Sequence, residues 1–520
     1  MLRSASTNSV FVFISSLALL TGCAVGPDYQ QPTVPESVDF KEASASTWKK
    51  AQPRDDISKG NWYAVFHDQK LNELEAEAQK SNQTLRAAIA RVSEARASAR
   101  QAESDFFPSL DFSGTGSRQR TSPNNGQVSS QSAGKTSPHT FNSATVTPFD
   151  LSYEVDLWGR VRRAFEASGA LAQASLADYE NVLLTLKADV ATNYFALRTA
   201  DSQIDVQERT IKSFQEALDL TNSRFKGGIS TQLDVEQAAA TLASAQAQLA
   251  SFRQSRAQLE HTLAVLMGRP PASFSLPSHP LDAEPLTIPP GLPSDLLERR
   301  PDIAAAERRV AAQNAEIGVA IGAYFPVLRL TGQTGFDSGD LGLLFNWESR
   351  IWSYGPSIQF PIFEGGRISA NIKQQRAAYE ENVANYRQTV LVAFQDVEDS
   401  LSSMHYLAQQ ADAENHAFDS YKKALELTNV RFTSGLVSYF DVIQAQGLAL
   451  NSEQLTVQLA GNRMAATVRL IKALGGGWAD SMVLTSNHGN HVASPSEAPT
   501  VLGSPEASSQ LPQKPLVAHP

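Results

Sequence analysis

The sequence predicts a mainly α chain with a membrane β part, built as two tandem repeats, each a pair of β-strands and a long helical hairpin. Three observations predict it. First, "LTNSRFKGGISTQLDVEQA" at residues 220–238 is written again as "LTNVRFTSGLVSYFDVIQA" at residues 427–445, 207 positions on. Second, no proline falls between Pro148 and Pro270, or between Pro361 and Pro495. Proline costs about 3 kcal/mol inside a helix, so such spans permit long helices. Third, ahead of each span the apolar period shortens from seven to two, the alternation of a strand with one apolar face.

Along the chain, residues 1–22 read as a secretory signal, with Arg3 ahead of the apolar run "VFVFISSLALL" at residues 10–20. The run ends in "LTGC", which resembles the lipobox of bacterial lipoproteins, where the cysteine becomes the acylated N-terminus. Cys23 is the only cysteine, so no disulfide framework forms within the chain. Ala24 stands where lipoproteins retained in the inner membrane tend to carry aspartate, which implies passage to the outer membrane. Buried methylenes of such an anchor contribute about 0.8 kcal/mol each. A plain signal peptide followed by a free thiol is the alternative. No other apolar run reaches the ~18 residues of a transmembrane helix. The chain therefore either hangs from the membrane by lipid or crosses it as strands. A net charge of −10 argues against nucleic acid as a partner, which calls for a basic face.

The resulting division is an arm at 23–68, a first repeat at 69–275, a proline-rich linker at 276–294, a second repeat at 295–475 and a disordered tail at 476–520. Each repeat opens with a helix. In the first, two strands fall within 106–157 and the hairpin spans 159–268. In the second, the strands fall within 324–363 and the hairpin spans 366–474.

Within the first hairpin Leu183, Val190, Leu197, Ile204, Ile211, Leu218 and Phe225 recur every seven residues. The positions 207 further on are apolar throughout, from Val390 to Phe432. A strict seven-residue repeat imposes a left-handed supercoil. The companion seam is mixed, since Leu186 and Phe214 fit but Asn193 and Gln207 do not. That favours helices side by side in a wide tube over a tight two-stranded rope. Gly227-Gly228 and Ser434-Gly435 end the long helices, and new helices start near Thr231 and Ser438. Thr231 with Asp234, and Ser438 with Asp441, fit a capping box.

The strands alternate: Phe149, Leu151, Tyr153, Val155 and Leu157 on one face, Asp150, Ser152, Glu154 and Asp156 on the other. Residues 352–362 alternate likewise, and further candidates start at Pro108 and Pro326. Loops are expected at about 118–142 and 337–347. Strands of this length with an apolar and a charged face fit an outer-membrane barrel, with a soluble sheet wet on one side as the alternative. Four strands cannot close, and an open edge in lipid leaves backbone groups unsatisfied. The chain must therefore oligomerise. A trimer would supply twelve strands and twelve long helices.

Other chemistry is sparse. "AGKT" at residues 133–136 lacks the leading glycine and the strand-to-helix frame of a phosphate loop. The nine histidines show no metal-ligand spacing within the helices, and His488 and His491 lie in the tail. No catalytic residue, cofactor-binding residue or metal ligand is expected, and no enzyme.

"TGCAVGPDYQQP", "DLWGRVRR" at residues 156–163, the stretch from Gly291 to Pro326, "FEGGR" at residues 363–367 and the two hairpin tips together resemble the TolC-like outer membrane factors, in their lipid-anchored branch. The resemblance covers most of residues 20–475. It implies a homotrimeric channel, with a 12-stranded β-barrel in the outer membrane of a Gram-negative bacterium and a 12-helix α-barrel crossing the periplasm. It also implies a periplasmic adaptor and an inner-membrane pump of the RND type. The tips would form the aperture, where Gly228, Ile229, Ser230, Gly435, Leu436, Val437 and Ser438 match the adaptor-docking positions. Asp441 falls where some relatives carry an acidic ring, with Asp234 as its counterpart in the first repeat. Relatives often place a second acid three residues later. Here Gln444 and Gln237 stand instead, a departure from a doubled acidic ring, and Asp441, Asp234 and Gln444 are the pore-gate positions that the resemblance implies. Passive efflux of small molecules is the reading. An exit duct for type I secretion of a polypeptide and a structural outer-membrane coiled coil are the alternatives.

Overall fold

The computed structural model describes residues 24–34, 61–120, 140–282 and 299–476. The lipobox with Cys23, the "AGKT" stretch, most of the linker and the tail beyond Gly476 lie outside the described residues. A 3-10 turn at Trp62–Phe66 is followed by helices α1 (Gln69–Ser81) and α2 (Gln83–Ser104), and strands β1 (Ser109–Arg120) and β2 (Thr140–Val155). The first hairpin is α3 (Arg160–Lys226) and α4 (Gln232–Leu266). The second repeat gives α5 (Pro301–Gly322), β3 (Val327–Ser338), β4 (Arg350–Gln359), α6 (Arg367–Thr433) and α7 (Tyr439–Ala473).

Helices α3 and α6 are each 67 residues long, roughly 100 Å at 1.5 Å per residue. The start of α3 explains the "DLWGR" motif. Gly159 takes φ +79° beneath Ala24, and the Asp156 carboxylate accepts from the Val161 and Arg162 N–H groups at 3.2 and 3.0 Å. Two otherwise orphaned donors are thereby satisfied. The heptad seam is buried at Val190, Leu197, Val390 and Val397. Of the polar residues that broke the companion seam, Gln207 is buried too and donates to the Ala245 carbonyl at 2.9 Å.

The four strands form one antiparallel sheet in the order β1-β2-β3-β4. Its register aligns the alternation across the sheet. Leu110, Leu151, Gly332 and Tyr354 form one continuous row, and Asp111, Asp150, Gln333 and Ser353 form the next. Side chains of alternate rows lie on opposite faces, so near the helices one face is mainly apolar and the other mainly polar, while Arg350 joins the apolar face towards the far end. The apolar face is exposed: Trp352 and Tyr354 are 70% and 80% accessible and stack at 5.6 Å. Among the described residues β1 and β4 each have an unpaired edge.

Three expectations are adjusted. The first repeat opens with two helices, because Asn82 leaves helical geometry and its side chain accepts from the Leu85 N–H while donating to the Leu266 carbonyl. β2 begins at Thr140 and runs through Pro148. Proline cannot donate to the ladder, and the register shifts there between Val146 and Phe149. The strand survives because Gly335 lets the shifted backbone approach: a Cβ on it would lie 2.2 Å from the Val146 oxygen. β4 ends at Gln359, ahead of Pro361, short of the expected Ile362.

The hairpins pack closely where α7 crosses α3. A Cβ on Gly461 would lie 2.1 Å from Thr199 Oγ1 and 2.9 Å from its Cβ. Gly461→Leu should lower stability by about 1–3 kcal/mol through overpacking. Comparing chemical unfolding midpoints, with Thr199→Ala as a partial rescue, checks it.

Candidate functional site

Both hairpin turns are Schellman motifs. The N–H groups of Gly228 and Ile229 donate to the Phe225 and Arg224 carbonyls at 2.9 Å each, and Gly228 takes φ +74°. In the second copy Gly435 and Leu436 donate to Phe432 and Arg431 at 3.0 and 2.9 Å, with Gly435 at φ +76°. A left-handed residue at this position favours glycine, and no atom lies within 4 Å of a Cβ built on either one. The glycines are therefore required by conformation and not by crowding. In such motifs an apolar residue after the glycine frequently packs back on its own helix. Here Ile229 and Leu436 are 78% and 71% accessible.

The next residues start α4 and α7. The Thr231 N–H and hydroxyl both donate to Asp234 Oδ2 at 2.8 Å. The Ser438 N–H and hydroxyl donate to Asp441 Oδ2 at 2.9 and 2.8 Å. Each is a reciprocal capping box. Asp441 is nevertheless exposed, as is Gln444 one turn on, whereas Asp234 is half-buried. The Ser438 hydroxyl, then its N–H, hold the Asp441 carboxyl below the usual range. Both bonds go to one oxygen, so capping and presenting charge to solvent are compatible. Ser230 turns inward and its hydroxyl donates to the Thr221 carbonyl at 3.2 Å, while Val437 is half-buried.

The two tips lie side by side. Tyr439, Val442 and Ala238 form a buried cluster with Leu218 and Phe432. The Arg224 guanidinium sits over the Phe432 ring at 4.3 Å, a cation–π contact between the hairpins. Arg209 pairs with Glu453 at 3.0 Å further along. Sequence reasoning missed Arg224, because in sequence it is only a basic residue in a last helical turn, where the helix dipole already favours one.

Among the described residues no group of three His, Cys, Asp or Glu side chains could hold a metal. No described helix is long and apolar enough to cross a membrane. An exposed one-sided apolar sheet with two open edges, continued by 100 Å helices that end in displayed tips, defines a class: subunits of a strand-walled membrane channel with a helical duct.

Comparison with known proteins gives the family. The model of the outer membrane efflux protein family matches residues 74–269 and 292–476, one segment in each repeat. The chain is 32% identical over 475 residues to the probable efflux pump outer membrane protein TtgC of Pseudomonas putida, covering 91% of this chain and 96% of that one. It is 32% identical over 469 residues to the cation efflux system protein CusC of Escherichia coli, covering 90% and 98%. The open-state structure of the MtrE outer membrane channel of Neisseria gonorrhoeae superposes with a TM-score of 0.74 at 31% identity, covering 88% of this chain and 98% of that one. The chain belongs to the outer membrane efflux proteins and serves as an efflux channel of the outer membrane that extends into the periplasm.

Proposed function

We propose that the chain is the passive exit duct of a tripartite pump: a homotrimer with twelve strands and twelve long helices, tethered by lipid on Cys23. Its tips dock a periplasmic adaptor, and an RND-type inner-membrane pump supplies small-molecule cargo. The observation that carries this reading is the pair of solvent-facing apolar residues, Ile229 and Leu436, at positions that frequently pack on their own helix. They offer an adaptor hairpin two apolar knobs per chain with open backbone beside each. The relatives bear names for toluene, antibiotic and cation efflux, so the pump rather than the duct chooses the cargo.

Asp441 acts as the gate as well as the cap. Three such carboxylates around one axis repel one another and attract cations. Asp441→Asn keeps an oxygen for the Ser438 N–H and removes the charge. It should raise resting conductance and weaken cation preference in single-channel recordings from a planar bilayer. Asp234→Asn, altered at a half-buried cap, should change neither. Acid should act like Asp441→Asn. Ser438 lowers the folded value, so the cap's contribution is present above the unfolded pKa and lost as pH falls through the lower, folded one. The neighbouring carboxylates of a trimer oppose that depression and bring the onset up. Unchanged conductance in Asp441→Asn returns Asp441 to capping alone. No discrete steps from folded, membrane-inserted protein would remove the duct.

A further inference from the structure

The connection between β3 and β4, residues 339–349, carries four large apolar side chains on its surface. Leu341, Leu343, Phe345 and Trp347 are 72%, 51%, 69% and 70% accessible. It lies at the end of the sheet away from the long helices, because β3 leaves α5 and β4 returns to α6. In a channel of this class that end faces outward. The connection of the other hairpin, residues 121–139, has Val128 as its one large apolar residue.

The loop is built rather than loose. Two 3-10 turns fold it, Leu341–Leu343 and Trp347–Ser349. Asp340 accepts from the Gly342 N–H at 2.9 Å. The Ser349 hydroxyl donates to the Leu343 carbonyl at 2.8 Å, and Arg350 Nε donates to the Trp347 carbonyl at 2.8 Å. Leu344 is buried beneath. The four apolar side chains are thus held outward by satisfied backbone, at a cost that water does not repay.

The loop also joins the apolar face of the sheet. Phe336 lies two residues along β3 from Thr334, which pairs with Trp352, so Phe336 shares the face of Trp352 and Tyr354. Phe345 packs edge-on against Phe336 with centroids 5.7 Å apart. The apolar surface therefore continues from the barrel wall into the loop through Phe336 and Phe345, with one charge beside it: Arg350 pairs with Phe336 and lays its guanidinium over the Trp347 ring, from where its long side chain can reach the headgroups. Aromatic and apolar residues flanking the wall are where a barrel meets the membrane boundary. We infer that this loop folds over the rim of the barrel and embeds Leu341, Leu343, Phe345 and Trp347 in the acyl region of the outer leaflet, as a collar contacting lipid rather than water. The inference rests on reading the sheet as a barrel wall.

The test is site-directed spin labelling of the full chain reconstituted in phosphatidylcholine–phosphatidylglycerol vesicles. Leu343→Cys and Trp347→Cys report the loop. Tyr354→Cys, on the apolar face, is the lipid reference. Ser353→Cys, on the polar face, is the water reference, and wild type carrying Cys23 alone sets the background. The ratio of oxygen to nickel-complex accessibility at 343 and 347 should match that at 354 and exceed that at 353 several-fold. A ratio like that of 353 would place the loop in water and overturn the inference. Low access to both reagents would mean that a second copy or another protein covers the loop, which also overturns it. Equal ratios at 353 and 354 would instead remove the barrel reading, and the collar with it.

Discussion

Asp201→Ala should be among the most destabilising single changes in the chain, lowering stability by about 3–5 kcal/mol, the range for removing one partner of a buried charge pair. The Asp201 side chain is fully inaccessible. Its Oδ1 accepts from Arg256 Nε at 2.5 Å and the Ser278 hydroxyl at 3.1 Å. Its Oδ2 accepts from Arg198 at 3.0 Å and the His279 N–H at 3.1 Å. Two helices and the first linker residues thus converge on one carboxylate. The arginines are committed further, since Arg198 donates to the Pro277 carbonyl at 2.8 Å and Arg256 to the Leu276 carbonyl at 2.7 Å. Removing Asp201 takes the shared, fully buried counter-ion from both guanidinium groups and leaves Arg256 only Glu260, at 3.4 Å. The outcome is read as a lower unfolding midpoint and earlier proteolysis beside Pro277. Adding Arg256→Met should recover part of the loss, because it removes one of the stranded charges. Strict additivity in that cycle would mean that the two residues do not act together.

This cluster marks where reading the sequence stops. Local periodicity carried the long helices, because burial every seven residues needs no knowledge of the partner helix. It carried the tips as well, since a Schellman turn followed by a capping box is written in about a dozen consecutive residues. The strands were legible by alternation, yet β2 passing through Pro148 was not, because a β-bulge is a property of two strands, and Gly335, which makes room for it, is distant in sequence. The split at Asn82 of the one helix expected at the start of the first repeat was not legible either, because its side chain reaches the Leu266 carbonyl, 184 residues away. Arg224 over Phe432 and Asp201 with Arg256 are likewise pairs between separate helices. A charge in a helix says that a partner is required when it is buried, not which segment supplies it.

Gly26→Val should detach the N-terminal arm. Residues 24–34 run along the helices without helix or strand of their own, and their hydrogen bonds go to distant elements. The Val25 N–H donates to the Trp158 carbonyl at 2.9 Å and Asn314 to the Pro27 carbonyl at 2.9 Å. Asp28 pairs with the buried Arg163 at 2.8 Å, and the Tyr29 hydroxyl donates to the buried Glu307 carboxylate. Arg387 closes the far end by donating to the Thr33 carbonyl at 3.0 Å. All of this depends on the arm touching α5 backbone to backbone. Gly26 takes φ +104°, and a Cβ there would lie 2.5 Å from the Gly318 Cα. No rotamer relieves a clash with main chain, and a side chain in that backbone region adds strain of about 1–3 kcal/mol. The variant should therefore lift the arm and expose Arg163 and Glu307. Cleavage of the arm should become several-fold faster by mass spectrometry after limited proteolysis, with a lower unfolding midpoint. Gly169→Ala, at a helical glycine with nothing within 4 Å of the added Cβ, should leave the cleavage rate unchanged and is the control. The position of the arm gives the result a functional sense. Ala24 lies against Gly159 at the junction of sheet and helix, and Cys23 is one residue, 3.8 Å of chain, before it. The lipid proposed on Cys23 would be registered against this junction by the arm. Gly26→Val should loosen that registration, so the purified variant should still partition with membranes while its arm becomes cleavable. A variant whose arm stays protected would mean that the side-chain contacts of Asp28 and Tyr29, and not the glycine contact, hold the strap in place.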